Sequence, residues 1–245
     1  MPKTVFIADL HLDKRYPKAL SAFLRYLQTL AEQDVDGLYI LGDLFEYWLG
    51  DDCLDKNARA VAQGLADYSK QTGVPVYYIH GNRDFLLGED YAALCQFHIL
   101  PEVFVINLYG VKTLLLHGDT LCTDDLAYQQ FRDRVRAPEW QAKVLKLPRW
   151  VRRLKAAHLR YRSKQANAQK SDDIMDVSPA TVTDIVRQYD AQRIIHGHTH
   201  RPAIHHLTLD GRTVWRCVVG DWYTQGSVLE VTPDDVQLLT LPFST

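Results

Sequence analysis

The sequence has few cysteines and no long hydrophobic run. Its four cysteines include no CxxC pair, which excludes a disulfide scaffold or cysteine-based zinc module and is typical of a cytosolic protein. No apolar stretch approaches the roughly 20 residues that a membrane-spanning helix needs. The first residues enter a strand-like segment directly, without the basic and apolar regions of a signal peptide. We therefore expect a cytoplasmic protein.

The sequence has almost no net charge, but its basic and acidic residues are unevenly distributed along the chain. The net charge is −2, yet residues 132–170 carry thirteen Lys and Arg against two Asp and Glu, and the rest of the chain carries 15 bases against 28 acids. Tryptophans, valines and leucines lie among these bases at helix-compatible positions. The pattern predicts one domain over residues 1–245, with a basic, partly apolar helical insertion over residues 124–180.

Three interpretations of this insertion remain open. It is a solvated helical face, a surface for nucleic acid, or a surface for an anionic amphiphile or membrane interface. The tryptophans and leucines among the bases favour the last interpretation.

Apolar runs and helical patterns alternate over the first hundred residues. Strands are predicted at 5–8, 38–41 and 74–79, with amphipathic helices over about 18–32 and 57–71. This order indicates a parallel sheet covered by helices. Later, residues 103–108 and 113–116 flank a hairpin turn, and further strands are predicted at 193–195, 214–219, 227–231 and 236–241. A second sheet, packed on the first with helices outside, is therefore expected.

Three of the ten histidines, His196, His198 and His200, lie within five residues after an apolar run. Imidazole is the commonest side-chain metal ligand, and such a density at a strand end is rarely needed for packing. Histidines on a solvated loop are the alternative. The cluster alone predicts a metal site but leaves open which of the three histidines bind.

Polar side chains also follow the other predicted strands. Asp9 and His11 come after the first strand, Asp43 after the second, Asn82 after the third and His117 after a later one. Each alone has a structural explanation, such as a helix cap or a turn. The carboxyl ends of parallel strands meet at one edge, however, so these groups should converge. Their mixed oxygen and nitrogen atoms suit two divalent ions.

Taken in order along the chain, these residues and their neighbours resemble the motifs of the calcineurin-like metallophosphoesterases. The resemblance lies in five ordered motifs: Asp9-x-His11, Gly42-Asp43-x-x-Glu46, Gly81-Asn82-Arg83-Asp84, His117 and Gly197-His198-x-His200. It implies an α/β fold, an αββα sandwich, with two metal ions. One ion would take Asp9, His11 and His200. The other would take Asn82, His117 and His198, with Asp43 bridging both. The resemblance favours Mn²⁺, although zinc and iron suit the same ligands.

The position of the glycines selects among the three clustered histidines. In Gly42-Asp43 and Gly81-Asn82 the expected ligand directly follows a glycine. The same layout makes His198 a ligand, with His200 as its partner. His196 then becomes the last strand residue, a core group or one that supports the ligands.

The motif departs from the family at Arg83. Most relatives carry a histidine there, which helps to protonate the leaving alkoxide. An arginine cannot act as a general acid near neutral pH, but it can clamp a phosphate. The departure therefore predicts cleavage of a phosphoanhydride, with Asp43, Asn82, Arg83 and His117 as catalytic residues.

Longer matches resemble the branch of this family that hydrolyses UDP-2,3-diacylglucosamine in lipid A biosynthesis. They lie at residues 39–46, 80–86, 117–125, 174–177 and 198–202. The resemblance implies that water attacks the α-phosphorus, giving UMP and 2,3-diacylglucosamine 1-phosphate. It makes the insertion a lid over two acyl chains in a monomeric peripheral protein on the cytoplasmic side of the inner membrane, with no nucleic-acid partner. The implied substrate contacts are Asn82, Arg83, Asp125, Ser163, Asn167, Lys170 and His198.

The spacing of three of these residues supports a shared polar site. Ser163, Asn167 and Lys170 lie at i, i+4 and i+7, so a helix would present them on one face. The alternatives are a nucleotide phosphodiesterase or nuclease on the same metals, and a non-catalytic interaction protein on this fold. Arg83 and the aliphatic insertion argue against the former, and the seven filled ligand positions argue against the latter.

Overall fold

The computed structural model describes residues 1–167 and 176–243, with the side chains of all of them except residues 162–167. Within these ranges no helix is both long and apolar enough to cross a bilayer. The described residues form strands β1 (Lys3–Ile7), β2 (Val35–Ile40), β3 (Val76–Tyr78), β4 (Phe97–Ile99), β5 (Val103–Leu108), β6 (Val111–Leu116), β7 (Arg193–His196), β8 (Ala203–Leu209), β9 (Arg212–Val218), β10 (Gln225–Val231) and β11 (Val236–Pro242). The helices are α1 (Pro17–Leu30), α2 (Lys56–Thr72), α3 (Glu89–Cys95), α4 (Leu126–Arg136), α5 (Pro138–Leu145), α6 (Arg149–Asn167) and α7 (Pro179–Tyr189).

The strands form two mixed sheets. The first has the order β11-β10-β1-β2-β3-β4, and its strands β1 to β4 are parallel to one another. The second has the order β5-β6-β7-β9-β8, with a parallel centre and antiparallel edge strands β5 and β8. Both expectations, a parallel sheet and a second sheet, are confirmed. The sequence pattern predicts neither α3 nor β4, because a helix of 7 residues and a strand of 3 are too short to show a readable period.

Alternation along the strands separates three apolar layers. Phe6 and Ala8 point between the sheets, where they pack with residues such as Leu115. Val5 and Ile7 point to the opposite face, beneath α1, α2 and α3. Helix α7 covers the outer face of the second sheet and forms a third apolar cluster with it. The fold is therefore an αββα sandwich, as the motifs imply.

Helices α4, α5 and α6 connect β6 to the segment before α7. They fall inside the predicted insertion of residues 124–180, although α7, which begins at Pro179, packs on the second sheet. Trp150, Leu154 and Tyr161 of α6 are each more than 60% exposed. Much of the apolar surface of this helix is therefore not used for packing on the sandwich.

Candidate active site

The parallel strands deliver the predicted site residues to one edge of the sandwich. Asp9 and His11 follow β1, Asp43 follows β2, Asn82 follows β3, and His117 follows β6. His198 and His200 follow β7. Backbone hydrogen bonds fasten these loops together, from the N–H of His11 to the carbonyl of Asp43 at 2.9 Å and from the N–H of Gly197 to the carbonyl of His117 at 2.8 Å. All seven expected ligands thus lie on adjoining loops.

One set of side chains comprises Asp9, His11 and His200. Nε2 of His11 lies 3.2 Å from Nε2 of His200. Oδ1 of Asp9 lies 3.4 Å from Nε2 of His200 and 3.8 Å from Nε2 of His11. Three potential ligand atoms therefore surround one small space, within 4.8 Å of one another.

A second set comprises Asn82, His117 and His198. Oδ1 of Asn82 lies 3.0 Å from Nε2 of His117 and 3.2 Å from Nδ1 of His198. Nδ1 of His117 is 2.8 Å from the carbonyl of Leu41. Because that carbonyl only accepts, Nδ1 carries the proton and Nε2 offers its lone pair to the site.

Asp43 lies between the two sets. Its Oδ2 is 3.8 Å from Nε2 of His11, and its Oδ1 is 3.8 Å from Nε2 of His117. The arrangement directs two buried carboxylates, an amide oxygen and several imidazole nitrogens at adjoining spaces. Such a set of lone pairs fits divalent cations of borderline hardness.

Five of the expected ligands have a positive φ angle, a left-handed backbone conformation that residues other than glycine rarely adopt. Asp9, His11, Asp43, His198 and His200 have φ values of 53, 47, 51, 69 and 55°. The left-handed region costs non-glycine residues about 1–2 kcal/mol each. Strained backbone of this kind clusters at functional sites, where it directs side chains.

Gly81 allows the loops carrying Asp43 and Asn82 to touch. A Cβ atom at this position would overlap both the carboxylate and the backbone nitrogen of Asp43. The N–H of Arg83 also donates to Oδ1 of Asp43 at 2.7 Å. The Gly-Asn pair of the motif therefore has a steric reason as well as a chemical one.

The electrostatics of the buried carboxylates differ. Burial raises the pKa of Asp43 to about 6 despite the nearby histidines. Burial would also raise the pKa of Asp9, but the contact with His200 and the charges of neighbouring histidines outweigh it and lower that pKa. Burial lowers the pKa of His198 to about 3, so this ring is neutral at pH 7. Neutral imidazole is the form that binds metal.

Further side chains support the expected ligands from behind. Oε2 of Glu46 lies 3.3 Å from Nδ1 of His11 and favours a proton there, which leaves Nε2 free to bind. Burial raises the pKa of Glu46, but the contact with His11 and the charge of Arg83 more than reverse this and lower it to about 2. Oδ2 of Asp221 lies 3.7 Å from Nδ1 of His200.

The other predicted residues lie partly outside the part of the chain that the structure describes. Arg83 is half-buried at the rim, and Asp125 is the N-cap of α4, where it accepts from the N–H of Tyr128 at 3.1 Å. Ser163 and Asn167 belong to α6, but their side chains lie outside the described residues, as does Lys170 entirely. His196 is buried at the end of β7, as expected for a core group.

Several contributors to the site carry no signal in the sequence. Arg132 of α4 pairs with Glu102 and with the buried Asp119, its Nε donating to Oδ2 of Asp119 at 2.8 Å. Arg136 donates to the carbonyl of Gly81 at 2.8 Å. The ring of Tyr128 stacks on that of His198 with centroids 6.2 Å apart. These contacts join α4 to the loops of the site.

Comparison with known proteins shows which family the chain resembles. The family described as calcineurin-like phosphoesterase matches residues 2–202. UDP-2,3-diacylglucosamine hydrolase of Klebsiella pneumoniae subsp. pneumoniae is 48% identical over 240 residues, which cover 98% of this chain and 99% of the relative. The protein of the same name from Escherichia coli O81 is 49% identical with the same coverage.

A solved structure extends the likeness to the fold. A novel archaeal phosphodiesterase aligns with a TM-score of 0.50 at 10% identity, covering 98% of this chain and 99% of the other. At that identity the likeness concerns the fold alone. The family match and the two relatives confirm the family that the five motifs indicate. The chain belongs to the calcineurin-like phosphoesterase family.

Proposed function

We propose that this chain is an enzyme that hydrolyses the pyrophosphate bond of UDP-2,3-diacylglucosamine in lipid A biosynthesis. The products would be UMP and 2,3-diacylglucosamine 1-phosphate. One observation carries the proposal: relatives named UDP-2,3-diacylglucosamine hydrolase match 98% of the chain at 48–49% identity. That match includes the helical insertion as well as the loops of the site. The relatives therefore share with this chain both the insertion, which suits a lipid, and the loops of the site, which suit phosphate chemistry.

The same proposal assigns two divalent ions, Mn²⁺ by resemblance, to the candidate site. Asp9, His11 and His200 would hold one ion and Asn82, His117 and His198 the other, with Asp43 shared. The convergence of these side chains and the neutral state of His198 support the assignment. When bound, such ions would activate water as a nucleophile and neutralise phosphoryl oxygens.

The protein's own residues set the geometry of attack. Glu46 and the carbonyl of Leu41 hold His11 and His117 in one ring orientation, so their Nε2 atoms face the site. Arg83 would clamp an oxygen of the diphosphate from the rim. A departing phosphate ester needs no added proton, so an arginine suffices where an alkoxide would need an acid. Attack at the α-phosphorus then breaks the bond to the bridging oxygen, which leaves with the lipid phosphate.

The insertion would act as a lid that holds the acyl chains. Asp125, Ser163, Asn167 and Lys170, together with Asn82, Arg83 and His198, would contact the phosphosugar head. The exposed Trp150, Leu154 and Tyr161 lie among bases on α6, which suits contact with anionic lipid at the cytoplasmic face of the inner membrane. We propose a monomeric, peripheral protein that does not bind nucleic acid.

Phosphorus NMR of products formed in oxygen-18 water tests the reaction. Label in UMP, seen as an isotope shift of its phosphorus signal, is the expected result. Label in 2,3-diacylglucosamine 1-phosphate would reject attack on the α-phosphorus. Cleavage of a single-stranded oligonucleotide without cleavage of the UDP-sugar lipid would favour a nuclease instead.

A further inference from the structure

Among the described side chains of α6, Arg152 stands apart from the other bases because it is buried. It is 3% exposed, whereas Arg149, one turn earlier on α6, is 61% exposed. Arginine is almost never fully buried unless it is paired. A buried guanidinium in a helix of solvated bases therefore needs a structural partner.

That partner is the loop that follows Asp43. Nη1 and Nη2 of Arg152 donate to Oδ1 and Oδ2 of Asp52 at 2.8 and 2.5 Å, a two-pronged pair, and Nη1 also donates to the carbonyl of Leu49. Paired forks of this kind fix direction as well as distance. Both terminal nitrogens of the guanidinium are thus occupied by the protein and are not available to an anionic ligand.

The loop is shaped to receive this arginine. Gly50 has a φ of 110°, and a Cβ atom there would overlap Nη1 of Arg152. The same Cβ would lie 2.8 Å from Leu145 of α5. Any side chain at position 50 would therefore displace the ends of the Arg152 and Leu145 side chains, which α6 and α5 place against the loop.

The receiving loop is itself braced to the candidate site. The N–H of Trp48 donates to the carbonyl of Arg83 at 3.1 Å. Asp51 accepts from the N–H groups of Gly88 and Tyr91, each at 3.0 Å. These bonds hold the loop against the segment that carries Asn82 and Arg83 without help from Arg152, so the loop should keep its place when that side chain is lost.

A second contact lies farther along α6. The guanidinium of Arg160 lies 4.3 Å from the ring centroid of Tyr47, on the same loop. A spacing of eight residues places Arg152 and Arg160 on one face of the helix, about two turns apart. Helix α6 thus lies along the loop, and positions 163 and 167 are its continuation.

We propose that Arg152 and Asp52 are positioning residues, which anchor α5 and α6 over the site and set the preference for the lipid-linked substrate over small phosphodiesters. This inference rests on the proposed function. Arg152 acts through the helix and does not contact substrate. Its loss would leave the metal-ligand loops formed but would misplace the surface that receives the phosphosugar and acyl chains.

The test compares two substrates in the full-length, metal-loaded protein. Arg152→Met should lower kcat/KM for UDP-2,3-diacylglucosamine by about 100-fold, mainly through KM, as expected for a misplaced binding surface. Hydrolysis of bis(p-nitrophenyl) phosphate should change by less than about twofold, because this diester does not need the insertion. Asp52 also accepts from Nε of the exposed Arg149 at 3.1 Å, so Asp52→Asn combined with Arg152→Met should be only slightly worse than Arg152→Met alone. Equal losses on both substrates would overturn the proposal.

Arg187 and Asp210 offer a matched control, since they form an exposed two-pronged pair at 2.8 and 2.7 Å far along the chain. Arg187→Met should change neither substrate.

Hydrogen exchange gives a readout that does not depend on turnover. Backbone amides of α6 should exchange about tenfold faster in Arg152→Met, while those of α7 keep their wild-type rates. Unchanged exchange in α6 would refute the anchor. If the wild type fails to hydrolyse UDP-2,3-diacylglucosamine, the proposed function falls, and the exchange comparison still decides whether Arg152 anchors the insertion.

Discussion

Asp84 holds the backbone of Asp43 in place, although 41 positions separate the two residues. The carboxylate of Asp84 accepts from the N–H of Asp43 at 3.3 Å and from the N–H of Gly81 at 3.0 Å. Its other oxygen accepts from the N–H of Phe45 at 3.2 Å. One buried carboxylate therefore ties the loop of Asp43 to the loop of Asn82.

We expect Asp84→Asn to lower the free energy of unfolding by about 2–3 kcal/mol. The amide has only one acceptor oxygen, so at least one buried N–H loses its partner and faces another donor. Urea unfolding of the metal-free protein measures the change. Asp67→Asn, on the exposed face of α2, is the control and should keep the wild-type midpoint. Identical midpoints for Asp84→Asn and the wild type would contradict the bracing role.

Asn82→Ala and His117→Ala should each lower kcat on the order of 1,000-fold, because each removes a proposed ligand and leaves its neighbours unpaired. Elemental analysis after dialysis against Mn²⁺ should show less bound metal in both variants. His206→Asn, exposed on β8, should keep turnover and metal content. Most of the activity surviving in either variant would refute the assignment.

Arg83→His should change the preferred leaving group. Histidine can donate a proton near neutral pH, and general acids contribute about 10²–10⁴-fold where a leaving group needs protonation. The variant should lose activity on the pyrophosphate and gain about tenfold in relative kcat/KM on the methyl ester of UMP, whose leaving group is an alkoxide. Arg83→Gln supplies no such acid, so its ratio of the two activities should not show this tenfold gain. An unchanged ratio in Arg83→His would remove the argument from the leaving group.

The stability of the metal-free protein should fall between pH 6.5 and 5 because of His196. Burial lowers the pKa of this imidazole from 6.5 to about 4. Below pH 6.5 the unfolded chain takes up a proton that the folded protein excludes. The contribution of His196 is therefore complete above pH 6.5 and is lost as the pH falls towards 4. The loss by pH 5 is about 2 kcal/mol.

Urea unfolding at pH 7, 6 and 5 measures this slope. His196→Gln should show a shallower decline than the wild type, while His206→Gln should parallel it. Parallel curves for His196→Gln and the wild type would show that His196 is not the titrating group.

The convergence of the seven expected ligands at one edge could be predicted from the sequence, because each lies just beyond an apolar run that ends a strand. Asp9, Asp43 and Asn82 follow parallel neighbours, and the common edge of such strands brings their side chains together. The fold could be anticipated for a related reason, since the strand period and the helix period alternate. The three-residue strand β4 could not be predicted, because it has too few positions to show alternation.

The supporting contacts could not be predicted, because they depend on which of several similar residues turns inward. Arg149 and Arg152 are equivalent in the sequence and both contact Asp52, yet only Arg152 is buried against Gly50. Glu46 is part of a motif, but its contact with Tyr223 joins residues 177 positions apart. No local sequence pattern indicates a contact between residues so far apart along the chain.

The left-handed backbone at Asp9, His11, Asp43, His198 and His200 also limits how this chain can evolve. Glycine adopts the same φ without steric strain, so at each position a residue better suited to the backbone is available. At the partly exposed His198 and His200, adopting it would relieve about 1 kcal/mol and remove a proposed ligand at the same time. At Asp9 and Asp43 it would instead leave the N–H groups of His198 and Arg83 without their acceptors. Engineered variants screened only for heat resistance should therefore drift towards inactive proteins at His198 and His200.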